Sequence, residues 1–310
     1  MWQGFRQHKY LLFLFLAAGF VTLLGAWSST SVYELPLAGV QSAPQRRDVP
    51  AHIATPKAVK AVYMTSWVAG SPSLRRELVD FIDSSEINSI VIDIKDYSGK
   101  VAFVIDDPMV AAFKPFDRRM PDIKEFIREL HARDLYVIGR ISVFQDPHAT
   151  RMRPDLAVAD RRGGVWKDRK GLSFIDPAAR EYWDYIAHMA TGSYAAGFDE
   201  INFDYIRFPS DGVLAHARYP HSGSRPKPDV LEEFFIYLEG ELEGTGIVTS
   251  ADLFGLSTWA VDDMGIGQVI EQAAPHFDYI SPMVYPSHYA SGFQNFKNPA
   301  QFPYEVVLTS

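Results

Sequence analysis

Six apolar runs of strand length recur along the chain, and each is separated from the next by a stretch with helical character. The runs are Ala61–Trp67, Ser89–Asp96, Tyr136–Phe144, Glu200–Phe208, Ile247–Gly255 and Tyr279–Pro286. Strand and helix alternating in this way pair their strands in parallel through right-handed crossovers, as a doubly wound sheet or as a (β/α) barrel. The first strand-to-helix turn, "SWVAGSPS", is neither a dinucleotide fingerprint nor a phosphate loop, which argues against a Rossmann domain.

The intervening helices read clearly. Ser71 or Ser73 can cap a helix that puts Leu74, Leu78, Phe81 and Ile82 on one face, and Pro121 opens another with a stripe of Ile123, Phe126, Ile127 and Leu130. A long insertion, Gln145 to Ile175, precedes the helix Asp176 to Tyr194.

Alternation within the strands favours the barrel, because side chains two apart share a face. The shared sets are Tyr63, Thr65 and Trp67; Asp93 and Lys95; Arg140 and Ser142; Asn202 and Asp204; Ser250 and Asp252; Ser281, Met283 and Tyr285. Polar groups thus gather near the C-terminal ends of the strands, where barrel enzymes place their chemistry. The expected fold class is α/β, a (β/α)8 TIM-type barrel. With about six βα units present, and roughly two more needed for closure, the barrel is expected to be truncated at its C-terminus.

Composition narrows the functional classes. The 310 residues carry a net charge of -8, so a basic face for nucleic acid is not expected. Cysteine is absent, which removes disulfides, thiolate metal sites and cysteine nucleophiles. The nine histidines form neither an HExxH nor an HxxxH pair, and His216 and His221 sit in a loop without a carboxylate partner. No metal site and no cofactor is read from the sequence.

At the N-terminus, Arg6 and Lys9 precede the uncharged run Tyr10–Trp27, long enough for a membrane span at its lower limit and longer than an ordinary signal-peptide core. Residues 1–27 are read as a signal anchor or transmembrane segment, 28–56 as a flexible Ser/Pro/Ala/Gln-rich linker, and 57–310 as the barrel domain. The domain is therefore expected outside the cytoplasm, membrane-anchored, or secreted if the segment is cleaved.

The stretch "GFDEINFDYIRFP", Gly197 to Pro209, carries charge where a buried strand ordinarily carries Val and Ile. Asp204 at its end is the leading catalytic candidate, and Asp252, ending the next strand around the ring, is the natural second carboxylate. Adjacent strands lie ~4.8 Å apart, so two carboxylates at their ends can approach the roughly 5 to 10 Å used in glycosidic cleavage. A buried ion pair of Asp204 with Arg140 or Lys95, and a capping role for Asp252, are the structural alternatives. Asp93, Lys95 and Asp96 form a further polar cluster, suited to substrate binding or to orienting the inner ring. Arg140 and Asn202 share the inner face. Tyr205, Arg207 and Tyr285 offer the rings and forked donors that sugars use. Trp166, in the long loop, is either a subsite platform or tucked against its own barrel.

Taken together, "VIDIKDYSG", "GRISVFQDP", "FDEINFDYIRFPSDG", "SADLFG" and "YISPMVYPSHY" resemble a bacterial family of glycoside hydrolases, first catalogued as a domain of unknown function and related to the alpha-amylase-like TIM barrels. The resemblance runs from about Lys57 to the end. It implies a nucleophile at Asp204 and an acid at Asp252. The chain departs from the amylase pattern in having Asn202 where an Arg precedes the nucleophile and Asp rather than Glu as acid; the seventh-strand Asp has no counterpart. The expected function is hydrolysis of a bacterial surface or extracellular polysaccharide. The alternatives are a non-catalytic glycan-binding barrel of the cell envelope and, less favoured for want of a histidine pair, a metal-dependent deacetylase.

The anchor reading has a direct test. The full-length protein should fractionate with membranes and release a soluble domain when cut between Ser28 and Thr55; mature protein beginning near Ser28 would instead indicate a cleaved leader.

Overall fold

The computed structural model describes residues 50–310. The proposed anchor and most of the proposed linker lie outside the described residues. Among the described residues no helix is long and apolar enough to cross a membrane.

Six parallel strands form one sheet: β1 (Ala61–Met64), β2 (Ser89–Lys95), β3 (Tyr136–Ser142), β4 (Glu200–Asp204), β5 (Val248–Phe254) and β6 (Tyr279–Met283). They are hydrogen-bonded in sequence order, the spatial order that successive right-handed βα units generate. The result is a half-barrel with β1 and β6 as its outer strands. Four longer helices cover it: α1 (Pro72–Asp83), α2 (Ile123–His131), α3 (Arg180–Tyr194) and α4 (Lys227–Leu242). A two-stranded antiparallel ribbon pairs Ala159–Asp160 with Ala217–Arg218.

The core lies between the sheet's outer face and the helices. Ile90, Ile92 and Ile94 of β2 are fully buried with Ile141 of β3 and with Ile201 and Phe203 of β4. Gly139 permits the closest approach in this layer, since a Cβ there would stand 2.4 Å from Ile94 Cδ1 and 2.8 Å from Phe198 Cδ1. The stripe expected on α2 is buried in full. On α1 the expected face is rotated: Val79 and Ile82 are buried, whereas Leu74 and Phe81 are exposed. Arg75 occupies the stripe instead, its guanidinium 4.5 Å over the Phe126 ring and 2.7 Å from Asp122.

The segment before β1 is docked under the sheet. Ile53 N donates to Asp199 Oδ1 at 2.8 Å, Thr55 Oγ1 lies 3.0 Å from the Tyr136 hydroxyl, and the His52 ring stacks on Tyr194 at 3.8 Å. Chain that reads as linker up to residue 56 therefore contacts the domain from His52 onward.

One irregularity redirects a charged side chain. Asp93 pairs with Arg140 and Lys95 with Ile141, so Ile94 is an extra residue in β2, a bulge. Simple alternation puts Lys95 beside Asp93. The bulge turns it to the helix side, where it is fully buried and donates to Asp146 Oδ2 at 2.8 Å, the Tyr182 hydroxyl at 3.0 Å and Val143 O at 3.2 Å. Lys95 and Asp146 are a buried pair that ties β2 to the loop after β3 and to α3. Replacing Asp146 by Ala leaves the ammonium uncompensated and is expected to cost on the order of 3–5 kcal/mol in urea denaturation. The paired change Lys95→Met with Asp146→Leu is expected to cost clearly less.

Candidate active site

A cleft of about 1040 Å³ runs along the concave face of the sheet. Its floor carries the polar sets that strand alternation places there. Arg140 of β3 reaches Asp93 on one side, with Nη1 2.8 Å from Oδ1, and Asp204 on the other through Nη2. The Tyr63 hydroxyl donates to the second oxygen of Asp93 at 2.5 Å. A chain of side chains thus crosses β1, β2, β3 and β4. Burial works against the charge on Arg140, but Asp204 and Asp93 more than offset it and raise its pKa. Burial raises Asp93 above the ordinary carboxylate range in spite of Arg140.

A second network crosses β3, β4 and β5. Tyr136 donates to Glu200 Oε2 at 3.0 Å, and Ser250 Oγ donates to Glu200 Oε1 at 2.5 Å. Asn202 Nδ2 donates to Ser250 Oγ at 3.0 Å and to Asp252 Oδ1 at 2.9 Å. Burial raises the Glu200 carboxyl. Asn202 Oδ1 is enclosed without a hydrogen-bond partner among the described residues.

The register brings the two candidate carboxylates side by side. Asn202 pairs with Ser250 and Phe203 with Ala251, so Asp204 and Asp252 follow on neighbouring strands, which lie ~4.8 Å apart. They differ in their partners. Asp204 receives Arg140 and, on its other oxygen, the Tyr205 amide at 2.5 Å. Among the described residues Asp252 receives only a neutral amide. Burial first, and the Asp204 charge second, push Asp252 up to about 7. At neutral pH one carboxyl is thus salt-bridged while its neighbour holds a proton in a large fraction of molecules.

Beyond Asp204 the backbone reverses. Tyr205 has φ 53°, a left-handed conformation uncommon for a bulky residue. The turn is held from β3 and its extension, since Val143 N donates to Asp204 O at 2.8 Å and Phe144 N to Tyr205 O at 3.2 Å. It presents Tyr205 and Arg207 to the cleft, opposite Tyr285, which is half-exposed.

Of the residues expected from the sequence, Arg140, Asn202, Asp204, Tyr205, Arg207, Asp252 and Tyr285 line the cleft, and Asp93 backs Arg140. Three do not join them. Lys95 is turned to the helix side by the bulge. Asp96 is occupied by Arg119 and by the hydroxyl and amide of Ser98 in the loop after β2. Trp166 is buried in a satellite core with Val158, Phe174 and Ala217, its Nε1 donating to Val213 O at 3.1 Å. Glu200, Ser250 and Phe254 were not singled out as site residues, although the inner-face alternation that selects Asn202 and Asp252 also selects the first two.

The family model described as "Putative glycosyl hydrolase domain" (DUF4015) matches residues 61–310. A hypothetical protein from Ruminiclostridium thermocellum is 32% identical, with TM-score 0.57, over 66% of this chain and 98% of that one. The PgaB (BpsB) glycoside hydrolase domain from Bordetella bronchiseptica superposes with TM-score 0.57 at 13% identity, over 81% of this chain and 80% of that one. A GH20 exo beta-N-acetylglucosaminidase from Vibrio harveyi gives TM-score 0.50 at 12% identity, and the match spans only 42% of its length. The last two likenesses establish the barrel fold alone. A search of curated proteins returns no match.

The raised Asp252 carboxyl makes a stability prediction with a defined sign. Its folded pKa of about 7 lies above the unfolded value of 3.8, so its contribution favours the fold at low pH and is lost as pH rises through that window. Asp252→Asn should therefore raise the melting temperature relative to wild type more at pH 8 than at pH 4. An equal effect at both would place the Asp252 pKa near its unperturbed value.

Proposed function

This chain belongs to the DUF4015 glycosyl hydrolase domain family, and we propose that its cleft cleaves a glycosidic bond with Asp204 and Asp252 as the working pair. The observation that carries the reading is the unequal environment of two neighbouring carboxyls. Asp204, ion-paired to Arg140, attacks the anomeric carbon or activates water; Asp252, its carboxyl raised to about 7, donates its proton to the leaving oxygen in the protonated fraction. Arg140 holds Asp204 in place and moderates its charge in the ground state. Asn202, donating to Asp252 Oδ1, orients the acid. Tyr205 and Tyr285 supply ring faces on which sugars stack.

The substrate is a polysaccharide or oligosaccharide of a bacterial surface or extracellular matrix. The cleft volume of about 1040 Å³ supports an oligosaccharide segment rather than a single sugar. The N-terminal apolar run supports placement of the domain outside the cytoplasm, on a membrane tether or in secreted form.

Asp204→Asn preserves shape and removes charge, so turnover should fall by roughly three or more decades, on the order of 4 kcal/mol of transition-state stabilisation, with glycan affinity little changed. Asp252→Asn should cleave activated aryl glycosides comparatively well and natural linkages poorly, because an acid matters most for poor leaving groups. Normal turnover by a folded Asp204→Asn variant would reduce Asp204 to an ion-pair partner and leave a glycan-binding barrel as the reading.

A further inference from the structure

The cleft holds a second arginine that the proposed chemistry leaves unused. Arg207 lies three residues beyond Asp204, is only 8% exposed and lines the cleft. Its Nη1 donates to Phe208 O and to Ser210 Oγ, both at 3.1 Å. Nε and Nη2 make no hydrogen bond to any described residue, and neither is among the enclosed unpartnered atoms, so both keep open surface. The guanidinium lies 5.0 Å from the Tyr205 ring, 4.8 Å from Phe254 and 5.8 Å from Phe174. These rings confine the guanidinium of a residue that lines the cleft.

No carboxylate among the described residues forms an ion pair with Arg207. Asp204 is taken by Arg140 and the Tyr205 amide. Burial pulls the Arg207 pKa down and outweighs Tyr205, Asp204, Asp211 and Asp168, which act on it only through space. Arg140, by contrast, is partly exposed and has a carboxylate on each side. A cation removed from water without a counter-ion is costly, and the cost is recovered when a ligand brings the missing anion. Neutral hydroxyls can accept from the fork, but they leave its charge uncompensated. A carboxylate offers two coplanar oxygens that match the adjacent Nε and Nη2 donors.

Resting on the reading of the cleft as a glycan site, we propose that Arg207 forms a subsite for the carboxylate of an acidic, uronate-type sugar, adjacent to the sugar whose linkage Asp204 and Asp252 address. The surrounding charge limits how acidic the glycan is. The protein carries a net charge of -8, and Asp204, Asp211 and Asp168 already act on this fork through space. A polymer charged at every residue would be repelled. The glycan that fits alternates acidic with neutral sugars.

The test is calorimetric binding of the full-length protein to a panel of oligosaccharides in which hexuronate alternates with neutral sugar, each compared with its own carboxyl-reduced form. At least one acidic member should bind tenfold or more tightly than its reduced counterpart. Arg207→Gln should erase that preference, so that the acidic form and its reduced counterpart bind within threefold of each other. Arg207→Lys, which keeps charge and loses the fork, should retain only a minor part of it and serves as the second variant if the first fails to fold. The proposal is overturned if no member prefers its acidic form, if the preference survives in Arg207→Gln, or if 6-sulfated or 6-phosphorylated analogues of the reduced glycans bind as tightly as the carboxylates. Hydrolysis fails separately: Arg207-dependent preference without any cleavage supports the subsite and rejects the enzyme, whereas cleavage of acidic and reduced glycans at equal efficiency supports the enzyme and rejects the subsite.

Discussion

The organisation of the cleft depends on one guanidinium. Arg140 stands on the inner face of β3 and is held by Asp93 of β2 and Asp204 of β4. A slip of one residue in either neighbouring strand would turn its carboxylate toward the helices and leave a buried cation unpaired. The ion pairs therefore pin the register of three strands, and with it the position of every inner-face side chain on them. They also set the charge balance. Arg140 pairs directly with Asp93 and Asp204 and acts on Asp252 only through space, so burial and the Asp204 charge outweigh it and raise the Asp252 carboxyl.

From this point the division of labour follows without further machinery. Two carboxyls of the same residue type, on adjacent strands, differ in their surroundings: Asp204 is ion-paired to an arginine, whereas burial and a like charge raise Asp252. The network from Tyr136 through Glu200, Ser250 and Asn202 orients Asp252, with the Asn202 hydrogen bond lowering its pKa and the Glu200 charge raising it. The left-handed turn at Tyr205 ends β4 and swings Arg207 into the cleft beside the pair.

Much of this was legible in the sequence, and the exceptions have physical causes. The six strands stand out because their cores are apolar on the helix side and polar on the other, and Asp204, Asp252, Asn202 and Arg140 fall on the polar side by counting in twos. Counting fails at Lys95, where the extra residue Ile94 is visible only once the partner strand is known. It fails for Leu74 and Phe81, since the side of α1 that faces the sheet is set by tertiary docking, and Arg75 can lie in an apolar stripe by extending its stem. Trp166 sits in a long loop whose path no periodicity describes, and there its indole completes a satellite core. The αL backbone of Tyr205 left no trace in residue type, because the conformation is imposed by hydrogen bonds to Val143 and Phe144.

The claim on which the account turns is that burial, with the neighbouring charge of Asp204, raises the Asp252 carboxyl to about 7. Carbon-13 NMR titration of the aspartate carboxyls, with Asp252 assigned through Asp252→Asn, measures this directly. The account predicts a midpoint for Asp252 near 7 that moves toward the ordinary carboxylate range when Asp204 is replaced by Asn. A midpoint near 4 in the wild-type protein, unmoved by Asp204→Asn, would contradict it.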